Sequence, residues 1–249
     1  FERASMHVIQ GLKIAEKLDD KKAISSFYSS MGMIYDYQQN FEKAYEYYAK
    51  SLAISREIND KKGIARELNN LANAGWYLGK TDSYEESMRQ AIALNKELKH
   101  MTWLQMNYFN LGELFFINGQ LDSAMIYNQY AYDIADELGD LKSMSGIKVA
   151  MSRQNLKRTG DLNSSIVLAH EAYGLAASTD SKKEIYEAAT LLKELHEQEN
   201  NLDSAYKYAI IMFRMKDSLD IYKTNANIAK LEMLHELDKE MMELEKAKD

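Results

Sequence analysis

Arg66, Asn69, Asn73 and Trp76 advance by three, four and three residues, a spacing that brings all four to one face of a helix, with Tyr77 beside Trp76. Their chemistry suits binding. An asparagine amide donates and accepts at once, which matches the main chain of an extended peptide. Arg66 can hold a carboxylate through charge-assisted hydrogen bonds, and the rings offer apolar surface. Met106, Phe109, Glu113 and Phe116 repeat the same spacing forty residues later. Turnover has no comparable support. His7, His100, His170, His196 and His235 are scattered without metal-ligand spacing. No Gly-rich phosphate loop, nucleophile elbow or paired-carboxylate signature appears. Cysteine is absent, which excludes disulfides, thiolate metal sites and cysteine nucleophiles. No catalytic residue, metal or cofactor is therefore expected.

The chain has 249 residues, 46% hydrophobic and 28% charged, with a net charge of -7. An acidic chain without a basic stripe is not expected to bind nucleic acid directly. No apolar run approaches the roughly 20 residues that span a bilayer, so membrane attachment is expected only through a segment outside this chain. Proline is absent, which favours long uninterrupted helices. Phe1 already lies inside a repeated unit, so the chain is expected to be a piece of something longer.

The elements that must position these residues are repeated. Residues 105–139 read QMNYFNLGELFFINGQLDSAMIYNQYAYDIADELG, with Tyr108, Leu111, Gly112 and Phe115 spaced as aromatic-x2-Leu-Gly-x2-aromatic. Ala4, Ala44, Tyr84, Ala124, Ser165 and Ala205 follow at steps of 40, 40, 40, 41 and 40. Gln39, Gly79, Gly119, Gly160 and Asn200 mark a turn in each unit, and Asp20, Asp60, His100, Asp140, Asp180 and Asp220 mark the junctions. Gly119 fits the left-handed end of a helix, Asp82, Asp122, Asn163 and Asp203 fit caps after the turn, and Gly112 pairs with small Ala124 across two helices.

This pattern resembles the tetratricopeptide repeat (TPR), a pair of antiparallel helices A and B. The resemblance implies an all-α fold, a right-handed α-α superhelix of about five pairs over residues 1–222 with a partial repeat at its start. It also implies that helix A lines a concave face that binds protein or peptide. Arg66, Asn69, Asn73, Trp76 and Tyr77 then face inward in the second pair, and Met106, Phe109, Glu113 and Phe116 in the third. In the fourth pair Ser152 and Arg153 take the places of Leu111 and Gly112, so Ile147, Ala150, Gln154, Lys157 and Arg158 turn inward. In the fifth, Lys193 takes the small place, Glu187, Thr190, Glu194 and Glu197 face inward, and His196 replaces Phe115 as a packed residue. The bland alternative makes the aromatics ordinary packing between repeats.

Residues 223–249 read as one charged helix with Leu234, Leu237, Met241 and Leu244 on one side. It is a cap for the array or a coiled-coil connector through which the chain pairs with a second copy. Leu68-Asn69-Asn70-Leu71-Ala72 is similar to helix A of kinesin-light-chain-like repeats and related bacterial peptide-sensing repeats, where inner asparagines contact peptide. Lys216-Asp217-Ser218 before a charged helix resembles TPR regions of bacterial, Bacteroidetes-type, regulators, in which that helix leads toward a membrane span and an output domain. The resemblance implies the sensor or scaffold region of a signalling or transcriptional regulatory protein, with the periplasmic side favoured over the cytoplasm. The alternative is a structural scaffold that assembles proteins without sensing a ligand.

Overall fold

The structure, a computed structural model, describes residues 2–80 and 82–219, with side chains for 8–80 and 83–219. The proposed seam at Leu234, Leu237, Met241 and Leu244 lies outside the described residues, as do the junction Asp220 and the side chains of Ala4, His7 and Asp82. Among the described residues every regular element is an α-helix. None of these helices is long and apolar enough to cross a membrane.

Two compact units meet in sequence between Leu98 and Lys99. The first holds α1 (Glu2–Lys17), α2 (Lys21–Tyr37), α3 (Phe41–Glu57), α4 (Lys61–Tyr77) and α5 (Asp82–Glu97). The second holds α6 (Met101–Ile117), α7 (Leu121–Glu137), α8 (Leu141–Thr159), α9 (Leu162–Ser178), α10 (Lys182–Gln198) and a further helical stretch, α11, over residues 202–219. Inside each unit the helices pack on their chain neighbours, and α8 also reaches α6 and α10. Ala44, Tyr48, Leu52, Leu68 and Leu71 form much of one core, and Val149, Ile166, Ala188, Leu192 and Leu195 much of another.

The turns have a shorter period than the sequence marks suggest. Gln39, Gly79 and Gly119 take left-handed φ values of 61°, 71° and 76° within pairs, and Asp19, Asn59 and Gly139 take 51°, 56° and 65° between pairs. In each kind the next amide returns to a carbonyl five residues back, as in Asn40 N to Tyr35 O at 2.9 Å and Asp60 N to Ser55 O at 2.8 Å. This closes the helix end by satisfying carbonyls that have no helical partner. Both kinds of junction are one device, repeated about every 20 residues.

Because the left-handed residue is followed at once by the N-cap, the caps fall earlier than the expected aspartates. Asn40 accepts from Lys43 N at 3.2 Å, Asp161 from Ser164 N at 3.1 Å and Asn201 from Ser204 N at 3.2 Å. Asp122 is therefore not the cap of α7. Gln120 holds that place, and Asp122 sits in the first turn, 3.3 Å from Arg158. Asn163 likewise lies inside α9. Acidic Asp122 there still suits the positive end of the helix.

The close approach at Gly112 is present, but its partner is Asn128. A Cβ on Gly112 would lie 2.3 Å from Asn128 Oδ1, and one on Gly32 would lie 2.5 Å from Tyr48, the matching residue of the first pair. Ala124 is fully buried nearby in sequence. In the fourth pair the extra residue of the 41-residue step is absorbed at the end of α8, which has 19 residues against 17 in α6. Counted from the helix start, Met151 and Ser152 take the places of Leu111 and Gly112. Ser152 is fully buried and donates from Oγ to Ser165 O at 2.7 Å. Arg153 is thus released from the interhelical position that the sequence count assigned to it.

Candidate functional site

The residues expected to read a peptide fall in both units. In the first, Arg66 is half-buried and donates from Nε to Glu67 Oε1 at 2.7 Å, and Glu67 itself is fully buried. The cation expected to hold a ligand carboxylate therefore already balances one of its own chain. Asn69 is 2% exposed and belongs to the interior of the helix packing, while Asn73 is half-buried. Trp76 is half-buried and meets Tyr84 of its own pair edge-on at 5.5 Å. Tyr77 stacks on Phe41 at 4.2 Å and keeps its other face in solvent. A Cβ on Gly75, next to Trp76 in sequence, would make ordinary contact with Tyr45 at 3.4 Å.

In the second unit Met106 is exposed and Phe109 and Glu113 are half-buried. All three line a groove of about 460 Å³ whose other walls come from α8 and α10. Phe116 does not line it. Lys157 Nζ lies over the Phe116 ring at 4.9 Å, so this aromatic serves the packing of α6 on α8.

The α8 wall carries Lys142, Gly146, Val149 and Arg153. Gly146 and Arg153 take, from the start of α8, the places that Met106 and Glu113 take in α6. Of the residues expected to face inward on α8, Ile147 and Ala150 reach the groove only as buried floor. Gln154 is fully buried, and Lys157 and Arg158 are turned to α6 and to Asp122. The single displaced residue explains all of these shifts. Counting forward from the cap at Asp140, instead of back from the turn at Gly160, finds Gly146 and Arg153 from the sequence. Glu187 of α10 lies in the lining as its spacing implies, and His196 is packed, 6% exposed and stacked on Tyr208 at 5.8 Å.

Electrostatics distinguishes the groove residues. Burial pushes the Glu113 carboxyl above its ordinary value, and the Asn128 amide, the Arg153 charge and the Gln154 amide pull the other way. Gln154 Nε2 donates to Glu113 Oε1 at 3.2 Å, whereas Asn128 acts from outside hydrogen-bond geometry. Apart from its chain neighbours and the backbone of its own helix, Gly146 has no heavy atom within 4 Å of where its Cβ would be, so the middle of the groove wall is open backbone.

Residues 25–58, which cover most of α2 and α3, match the tetratricopeptide repeat family. Among solved structures the fold is similar to BtubC (BKLC) from P. vanneervenii, with a TM-score of 0.74 at 14% identity over 88% of this chain and 92% of that one. The chain has the tetratricopeptide-repeat fold. A similar TPR arrangement occurs in a signal transduction ATPase with numerous domains and a TPR sensor from Pyrococcus horikoshii, with a TM-score of 0.72 at 17% identity over 89% of this chain and 34% of that one. A Rap protein complexed with competence and sporulation factor gives a TM-score of 0.68 at 16% identity, over 82% of this chain and 57% of that one. At these identities the likeness is one of fold. No curated protein matches the TPR chain by sequence.

Proposed function

We propose that this TPR region is a non-catalytic peptide- or protein-binding module, the sensor or scaffold part of a bacterial signalling or transcriptional regulator, and that its ligand lies in the α6–α8–α10 groove. Gly146 carries the reading. A glycine inside a helix costs about 1 kcal/mol relative to alanine, and here no neighbouring side chain occupies the space it leaves. Absence of a side chain lets a ligand main chain approach the helix backbone closely. Met106 and Phe109 supply apolar contacts beside it, and Glu113 supplies a polar one. The Rap neighbour held with competence and sporulation factor and the neighbour described as carrying a TPR sensor support the same role.

A peptide array probed with wild type and with Gly146→Leu tests this. The leucine points into open groove, so the variant melts at or above wild type and loses the peptides that wild type retains. Retention of the same peptides by both proteins would remove the groove as the binding site.

A further inference from the structure

The charges in the groove are unequally committed. Its three carboxylates have partners within the chain: Glu113 accepts from Gln154 at 3.2 Å, Glu184 accepts from Ser181 Oγ, and Glu187 lies 3.7 Å from Lys183. Of its three cations, Lys183 is the one in an ion pair. Lys142 and Arg153 are exposed and form no ion pair or hydrogen bond with a described residue, although the Arg153 charge reaches Glu113 at longer range. Two cations are therefore available to a ligand in a chain whose net charge is -7. Met106 and Phe109 line the same groove, and the bare backbone at Gly146 lies between the two cations along α8.

From these placements we infer that the groove selects an extended peptide with two acidic side chains flanking an apolar one, a specificity that rests on the binding reading above. Lys142 lies in the first turn of α8 and Arg153 three turns later, about 16 Å along the axis at 1.5 Å per residue. An extended strand turns every second side chain to the same face. Acids four residues apart, about 13 Å at 3.3 Å per residue, therefore face the wall together with the apolar residue midway, and the long Lys142 and Arg153 side chains reach over the remainder. One acid meets the compact Lys142 ammonium and the other meets the planar Arg153 guanidinium, which holds a carboxylate through two parallel hydrogen bonds. The apolar side chain between them faces Met106 and Phe109, while the peptide backbone passes Gly146.

The test uses peptide libraries acetylated and amidated at their ends, so that terminal charges do not contribute. Each has an apolar centre flanked by two variable positions four residues apart, occupied by Asp, Asn or Lys. Fluorescence anisotropy is read on wild type, Arg153→Glu, Arg153→Lys and Lys142→Glu. Wild type binds the Asp library best, and replacing either Asp by Asn weakens binding roughly tenfold or more. Arg153→Glu and Lys142→Glu each transfer the preference at one position to Lys, Arg153→Lys keeps it for Asp, and all variants melt with wild type. Wild-type binding that is equal for Asp, Asn and Lys libraries, or unchanged preferences in both Glu variants, overturns the acidic specificity and leaves groove binding standing. Binding of no library by wild type, with the protein folded, overturns both.

Discussion

Helices α6 and α8 each carry a glycine well inside the helix, and the two meet opposite surroundings. Gly112 is closed over by Asn128, which a Cβ would approach to 2.3 Å, whereas Gly146 faces nothing within 4 Å. Both sacrifice about 1 kcal/mol of helix propensity. At Gly112 the return is a tight helix pair inside the repeat. At Gly146 no packing gain is visible, and the open backbone lies in a groove instead. Similar residues in similar helices thus divide into one that holds the fold and one that is available to a ligand.

Substitution separates the two most sharply. Gly112→Leu forces the side chain into Asn128 and lowers stability by about 1–3 kcal/mol or more, read as a large fall in melting temperature. Gly146→Leu melts at or above wild type. Equal melting of the two variants would erase the distinction.

A smaller effect tests the turn geometry that places both helices. Asn40→Ala removes a cap bond to Lys43 N and costs about 1 kcal/mol in chemical denaturation. Asp122→Ala, which removes a first-turn charge and no cap, stays within about 0.5 kcal/mol. A larger loss at Asp122 than at Asn40 would return the cap to the later position.

Gly146→Ala sharpens the comparison from the other side. Alanine fits the open space and raises stability by about 0.5–1 kcal/mol, while its methyl group weakens peptide binding. A destabilised Gly146→Ala protein would mean that the glycine serves the fold after all.

The smallest effect is on pH. Burial raises the Glu113 carboxyl above its ordinary 4.5, so the folded state binds more protons than the unfolded state between the two values. Stability then falls as pH rises through that window. Glu113→Gln removes the penalty, melting at or above wild type at neutral pH and losing that advantage below the ordinary carboxylate range. An advantage that persists unchanged into acid would assign the effect to packing.

The fold was legible because four kinds of residue repeat with one period, whose local causes are packing, turning, capping and, at Asp122, a negative charge in the first turn rather than a cap. The site was legible in part. Met106, Phe109 and Glu113 follow from spacing along α6 alone. Gly146 and Arg153 did not, because the one-residue insertion in the fourth unit lies at the end of α8, where a count back from Gly160 displaces every inward position. Asn69 was misleading for another reason: spacing fixes a helix face, but not whether a neighbouring helix covers it. Arg66 has the right charge and the right face, yet a buried carboxylate one residue away already engages it.

The central claim, that ligand enters the α6–α8–α10 groove, is tested most directly by methyl NMR of the methionines during titration with a peptide retained on the array. Met106 lines the groove and is 39% exposed, while Met33 is 51% exposed in the first unit. Ligand in the groove gives a saturable shift of the Met106 methyl signal with Met33 unchanged. A saturable shift at Met33 with Met106 unmoved would contradict it.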